Sequence, residues 1–161
     1  MDWIATLFYP VFLLIVFLFT LLFIPREDYK EYLIYGVLVG ALGDMVTVGL
    51  YQNVFHIIVF KNAGIFNVLG LNFLSPLCWI AVVMLYLRFL PNRRWFRYFY
   101  VVTFAAFSVG YGLLVRNAGL FDFREWVYPG FAFFTFLAWW LFATWLFLKT
   151  SPLAKAENRR R

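Results

Sequence analysis

Leu33–Phe55 is an apolar run with a single charged residue, Asp44, at its midpoint. As a helix it is about long enough to cross the hydrocarbon core of a bilayer. A run of this kind restricts the fold more than any other feature, because it must be buried along nearly its whole length. The chain has 161 residues, of which 65% are hydrophobic and 14% charged, with a mean hydropathy of +0.80. Soluble domains carry about 25% charge, so this composition leaves too little polar surface to cover a core in water. The expected fold class is an all-α polytopic membrane helix bundle.

Asp44 is the costly residue in that run. An aspartate at the centre of a membrane helix costs about 2.5–3.5 kcal/mol on the insertion scale, and such residues face a bundle interior or a watery cavity. At 100° per residue, Gly36, Gly40, Gly43 and Thr47 share a stripe roughly 60° wide. Gly36 and Gly40 form a small-xxx-small pair that lets helix backbones approach closely. Asp44 borders this stripe, with Tyr51 on nearly the same bearing. Two readings stand side by side: Asp44 as a hydrogen-bonded tie between helices, or as a proton or ligand site. Tyr111 and His56 are the candidate partners in the second.

Five spans are expected, at about 3–24, 33–55, 73–90, 98–115 and 127–148, in a single domain with a basic tail at 149–161. The first is read as a retained span, since Met1-Asp2 lacks the basic start of a secretory signal. Pro10 is a candidate kink, and Pro25 closes the span. Pro25–Tyr32 reads as a short solvated turn. His56–Ser75 is too apolar for an ordinary loop. It is too interrupted by Lys61, Asn62, Gly64, Asn67, Gly70 and Asn72 for a span, so it reads as an interfacial or re-entrant piece. Arg116–Trp126 reads as a solvated, partly helical loop, and the tail as disordered beyond its first turn. Trp139, Trp140 and Trp145 read as packing and lipid contact.

Charge sets the expected orientation. The first and third loops and the tail hold Arg26, Lys30, Arg88, Arg93, Arg94, Arg97, Lys149, Lys155 and Arg159 to Arg161. The opposite side holds Lys61, Arg116 and Arg124. The positive-inside rule then places the N-terminus outside and the C-terminus in the cytoplasm. The basic residues lie at span ends, which points to anionic lipid and not to nucleic acid. Arg88, Arg93, Arg94 and Arg97, beside Trp95, form a candidate membrane-surface basic cluster.

Catalytic signatures are missing from the sequence. It has no glycine-rich phosphate loop, no GxSxG, no HExxH and no Cys-x-x-Cys. One cysteine, Cys78, and one histidine make no standard metal site, so neither metal nor cofactor is expected. The expected partners are the bilayer, other membrane proteins or a second copy of the chain. Three functions remain: a structural or accessory subunit, which leads; a small transporter, channel or sensor component using Asp44; and a lipid-acting enzyme.

Gly43-Asp44, Pro76-Leu77-Cys78-Trp79 and Leu90-Pro91-Asn92-Arg93-Arg94-Trp95 together resemble a group of small multi-spanning membrane proteins of spore-forming Gram-positive bacteria. The likeness covers roughly residues 33–145 in pattern. It implies a polytopic plasma-membrane protein of bacterial source and carries over no catalytic residue.

Overall fold

The computed structural model describes residues 3–61, 66–68 and 71–159, and these are mostly helical. Asn62, Gly64 and Gly70, which interrupt the 56–75 segment, and Arg160 and Arg161 of the tail lie outside the described residues. The helices are α1 (Trp3–Phe23), α2 (Arg26–Val54), α3 (Leu74–Arg88), α4 (Arg94–Asn117), α5 (Gly130–Thr150) and α6 (Pro152–Arg159). Three of them, α2, α4 and α5, are long and apolar enough to cross a membrane; Leu7–Phe23 of α1 and all of α3 are shorter apolar helices.

Helix α2 begins seven residues earlier than the apolar run, at Arg26, so the expected turn at Pro25–Tyr32 is helical. Pro25 sits just before it, and Glu27 and Asp28 occupy the first turn, where negative charge complements the helix dipole. Tyr32 and Tyr35 are buried against Phe147 of α5, which holds this polar first stretch in the fold. Further along, α2 widens into π-helical turns at Gly36–Ala41 and Leu50–Val54. A π turn takes more residues per revolution, so it rotates every later side chain relative to an α-helical projection.

The widened stretch packs against α3. A Cβ at Gly36 would lie 2.8 Å from Ile80 O, and one at Gly40 would lie 2.6 Å from Trp79 O. The two backbones therefore touch where side chains would keep them apart. Gly43 has been turned elsewhere and meets the indole of Trp139 on α5, so the single stripe projected from sequence serves two neighbouring helices. Helix α4 packs on α5 around fully buried Trp140. The Trp140 indole donates to Ser108 Oγ at 3.0 Å, and Tyr86 from α3 hydrogen-bonds Thr144 Oγ1 at 2.6 Å.

The segment after α2, expected as an interfacial or re-entrant piece, contains short strands. Strand β1 (Ile58–Phe60) pairs antiparallel with β4 (Phe121–Phe123), with Ile58 opposite Phe123 and Phe60 opposite Phe121. Two further short strands, β2 (Asn67–Val68) and β3 (Leu71–Asn72), pair antiparallel just before α3. The Arg116–Trp126 loop is partly helical, at Arg116–Asn117 and Glu125–Val127, but its middle is one strand of a β-ribbon with Leu120 and Phe123 buried, which the expected solvated loop did not include. Helix α4 starts at Arg94 and α5 at Gly130, after a cis Tyr128–Pro129 bond.

The tail also differs from expectation. Ser151 Oγ accepts the Ala154 N–H at 3.2 Å and donates to Glu31 of α2, and Pro152 occupies the first helical position, where its missing N–H is harmless. A cap completed from another helix keeps α6 folded, which local composition does not reveal.

Candidate functional site

A cavity of about 110 Å³ lies between the helices and the inner face of the β-ribbon. Ile58, Phe60 and Phe121 of the ribbon roof it, and Trp79, Phe136 and Trp139 form much of its side. Asp44 lines this cavity and is 7% exposed. Ser75, in the first turn of α3, donates to Asp44 Oδ2 at 3.1 Å.

The antiparallel packing of α2 on α3 explains that bond. Gly40 lies opposite Trp79. One turn further along α2 is Asp44, and one turn back along α3 is Ser75. The close approach at Gly40 therefore sets how near the hydroxyl comes to the carboxyl.

Tyr51, Tyr111 and Thr47 line the same cavity, so the fold gathers most of the polar positions singled out on α2 and α4. Tyr51 does not bond Asp44; its hydroxyl meets Thr135 Oγ1 of α5 at 3.1 Å. Among the described residues, the Tyr111 hydroxyl and the Trp139 indole N–H are buried with no hydrogen-bond partner. Buried polar groups are ordinarily satisfied, and both of these belong to side chains of the cavity wall.

His56 does not join them. It is exposed, with φ of 51°, and its Nδ1 lies 2.9 Å from Gln52 O. The chain reverses there as α2 ends, and the ring folds back onto the last helical turn. Gly36 and Gly40 serve the α2–α3 contact and Gly43 serves α5. Arg88 and Arg97 line a separate cleft at the opposite end of the helices, while Arg93 and Arg94 are exposed outside it.

Sequence reasoning missed Ser75, Tyr9, Thr135 and Tyr128 of this wall. For Ser75 a signal existed: a small polar residue one turn before the position facing Gly40. The others depend on pairings between distant elements.

The charges near the roof lie on its outer edge. Lys61 Nζ is 2.6 Å from Asp122 Oδ2, and Arg116 Nε is 3.4 Å from Asp122 Oδ1. The hydrogen bond from Lys61 and the Phe123 N–H hold the Asp122 carboxyl below the usual carboxylate range. This cluster pins the ribbon to the end of α4. No lysine, arginine or histidine lines the cavity itself among the described residues, and none of those residues forms a group of three or more His, Cys, Asp or Glu able to hold a metal.

The arrangement is a small aromatic chamber with one carboxyl and two unsatisfied polar groups in its wall. Ligand sites have this make-up: mostly apolar walls with a few convergent polar atoms. Compared with family models, with curated proteins and with solved structures, the chain matches none.

Proposed function

We propose that the chain is a five-span membrane protein that binds a small amine, or a comparable cation with a compact apolar body, in the cavity at Asp44. The N-terminus is outside and the C-terminus cytoplasmic. Support for five spans comes from one cluster in which the ends of successive helices meet: Ile24 after α1, Tyr32 near the start of α2, Leu87 of α3, Val101 of α4 and Phe147 of α5. Large side chains such as Phe107 and Phe134 remain exposed on the outer surface, as expected where lipid is the neighbour. The resemblance to small membrane proteins of spore-formers makes a bacterial plasma membrane the expected compartment.

The observation that carries the ligand reading is a buried carboxyl on a cavity wall with no cationic side chain beside it among the described residues. A carboxylate in apolar surroundings is costly unless a cation or a proton neutralises it. Trp79, Tyr111 and Trp139 line the cavity, and an aromatic wall suits an ammonium group through cation–π attraction. A dry cavity of about 150 Å³ holds benzene in a well-studied case, so about 110 Å³ fits a ligand smaller than benzene. The accessory-subunit reading keeps the exposed aromatic surface as support, but not the glycine face, because Gly36, Gly40 and Gly43 are already occupied within the chain.

The test uses the purified protein in lipid nanodiscs, with isobutylamine and its neutral counterpart isobutanol. At ten times its Kd a ligand stabilises by about 1.4 kcal/mol, so the amine should raise the unfolding temperature by a few degrees. Asp44→Asn should abolish the amine's advantage over the alcohol, because an amide still hydrogen-bonds but carries no charge. Tyr111→Phe should weaken binding without loosening the fold, since that hydroxyl has no partner to lose. Equal effects of amine and alcohol on the wild type, or an unchanged amine effect in Asp44→Asn, would count against the reading.

A further inference from the structure

At the end of the bundle away from the ribbon, a cleft of about 200 Å³ opens between the α3–α4 turn and the α5–α6 junction. Arg88, Asn92 and Arg97 line it beside Tyr32, Phe147 and Leu153. Both arginines are held by backbone. Arg88 Nε donates to Phe23 O at the end of α1 at 3.0 Å. Arg97 donates through Nε to Pro91 O at 3.0 Å and through Nη2 to Asn92 O at 2.9 Å.

These bonds position two guanidinium groups without neutralising them. Among the described residues neither forms an ion pair with a carboxylate; the ion pairs found there are those of Asp122, on the far side of the molecule. Glu31, an acid at this end, is turned toward Ser151 and the Leu153 N–H. Two guanidiniums line one cleft with their remaining N–H groups free of any carboxylate among the described residues, and guanidinium N–H groups are well suited to phosphate oxygens.

The surroundings favour a phosphate carried by a lipid. Trp95 is 86% and Phe99 73% exposed on the first turns of α4, and Lys149 lies 5.0 Å over the Trp145 ring at the end of α5. Aromatic and cationic residues together mark the headgroup level of a bilayer. Apolar Phe147, Leu148 and Leu153 on the cleft wall give a glycerol backbone and the start of its acyl chains a surface to lie on.

We propose that this cleft binds the phosphate of an anionic glycerophospholipid, held between Arg88 and Arg97. Arg93 and Arg94, outside it, add only diffuse attraction. A choline or ethanolamine headgroup would bring its own cation up against the arginines, so the site prefers a lipid without one. The inference rests on the membrane reading above but not on the Asp44 ligand.

Reconstitution of the full chain into phosphatidylcholine nanodiscs tests the membrane reading by itself; failure to insert sinks both. Titration of the detergent-solubilised protein with dioctanoyl phosphatidylglycerol, dioctanoyl phosphatidylcholine or inorganic phosphate at 0.15 M salt then tests the site. Retained lipid is read by native mass spectrometry. The glycerol lipid should bind at least tenfold more tightly than the choline lipid, and inorganic phosphate should not displace it. Arg88→Gln should lose about tenfold, while the double variant Arg93→Gln/Arg94→Gln should change affinity less than twofold. Arg88→Lys, which keeps the charge but not the fork, separates geometry from charge and should lose several-fold; circular dichroism checks that each variant is folded. Equal binding of the two lipids, displacement by phosphate alone, or equal losses from the cleft and outer arginines would overturn the proposal.

Discussion

Gly40→Ala adds one methyl group at the tightest point of the helix contact, and its effect can be worked from the geometry. The new Cβ would sit 2.6 Å from Trp79 O, 2.7 Å from Trp79 C and 2.9 Å from Ile80 N. Ordinary contact begins near 3.4 Å, so α2 and α3 would have to part by about 0.8 Å at this point. The opposing atoms are helix backbone and cannot swing aside. Overpacking of this kind costs about 1–3 kcal/mol, and the better helix propensity of alanine returns up to about 1 kcal/mol.

A net loss of roughly 1–2 kcal/mol corresponds to a Tm about 2–8 °C lower for a chain of this size. Separation by that amount would also carry the Ser75–Asp44 contact from 3.1 Å toward the limit at which a hydrogen bond fails, so amine binding should weaken in parallel. Gly49→Ala is the control. A Cβ there meets nothing within 4 Å, and the substitution should leave Tm unchanged or raise it. Cys78 supplies the assay: it is the only cysteine and is 2% exposed, so a thiol-reactive dye reports unfolding on heating. A Gly40→Ala protein as stable as the wild type, or an equal loss in Gly49→Ala, would refute the close approach of the two helices.

Tyr86→Phe removes the hydroxyl that bonds Thr144 Oγ1 at 2.6 Å in a fully buried site. It should lower stability by about 1 kcal/mol; Thr144→Val added to it should then cost little more, and full additivity in a double-mutant cycle would contradict the bond. The Asp122 cluster carries a pH dependence. Because its folded carboxyl titrates below the usual range, its hold on the ribbon is complete above that range and is lost as pH falls through the lowered value. Hydrogen exchange at Lys61 and Arg124 should accelerate in that acid window, and Asp122→Asn should show fast exchange at every pH; a wild-type ribbon insensitive to acid would exclude the clamp.

How much of this was legible beforehand differs residue by residue. Periodicity over Leu33–Phe55 placed Gly36 and Gly40 on one side of a helix, and they share the α3 contact. The same projection put Gly43 on that stripe, and it too packs against a helix, meeting Trp139 of α5 where Gly36 and Gly40 meet α3. His56 stood as a candidate partner of Asp44 at the mouth of the bundle. A positive φ turned it outward instead. Arg116–Trp126 looked polar enough for a solvated loop, but its alternate residues become a strand once Ile58–Phe60 lies beside it.

The amino-acid sequence by itself determined the class of molecule: long apolar runs, cationic ends and an acid in mid-run are consequences of solvation, which each segment carries locally. Tertiary structure alone decided which groups face that acid. Ser75 on Asp44, the ribbon that roofs the cavity and the Glu31 bond that caps α6 each join segments distant along the chain. Their register follows from how closely helices can pack, a property of two surfaces together and of neither one alone.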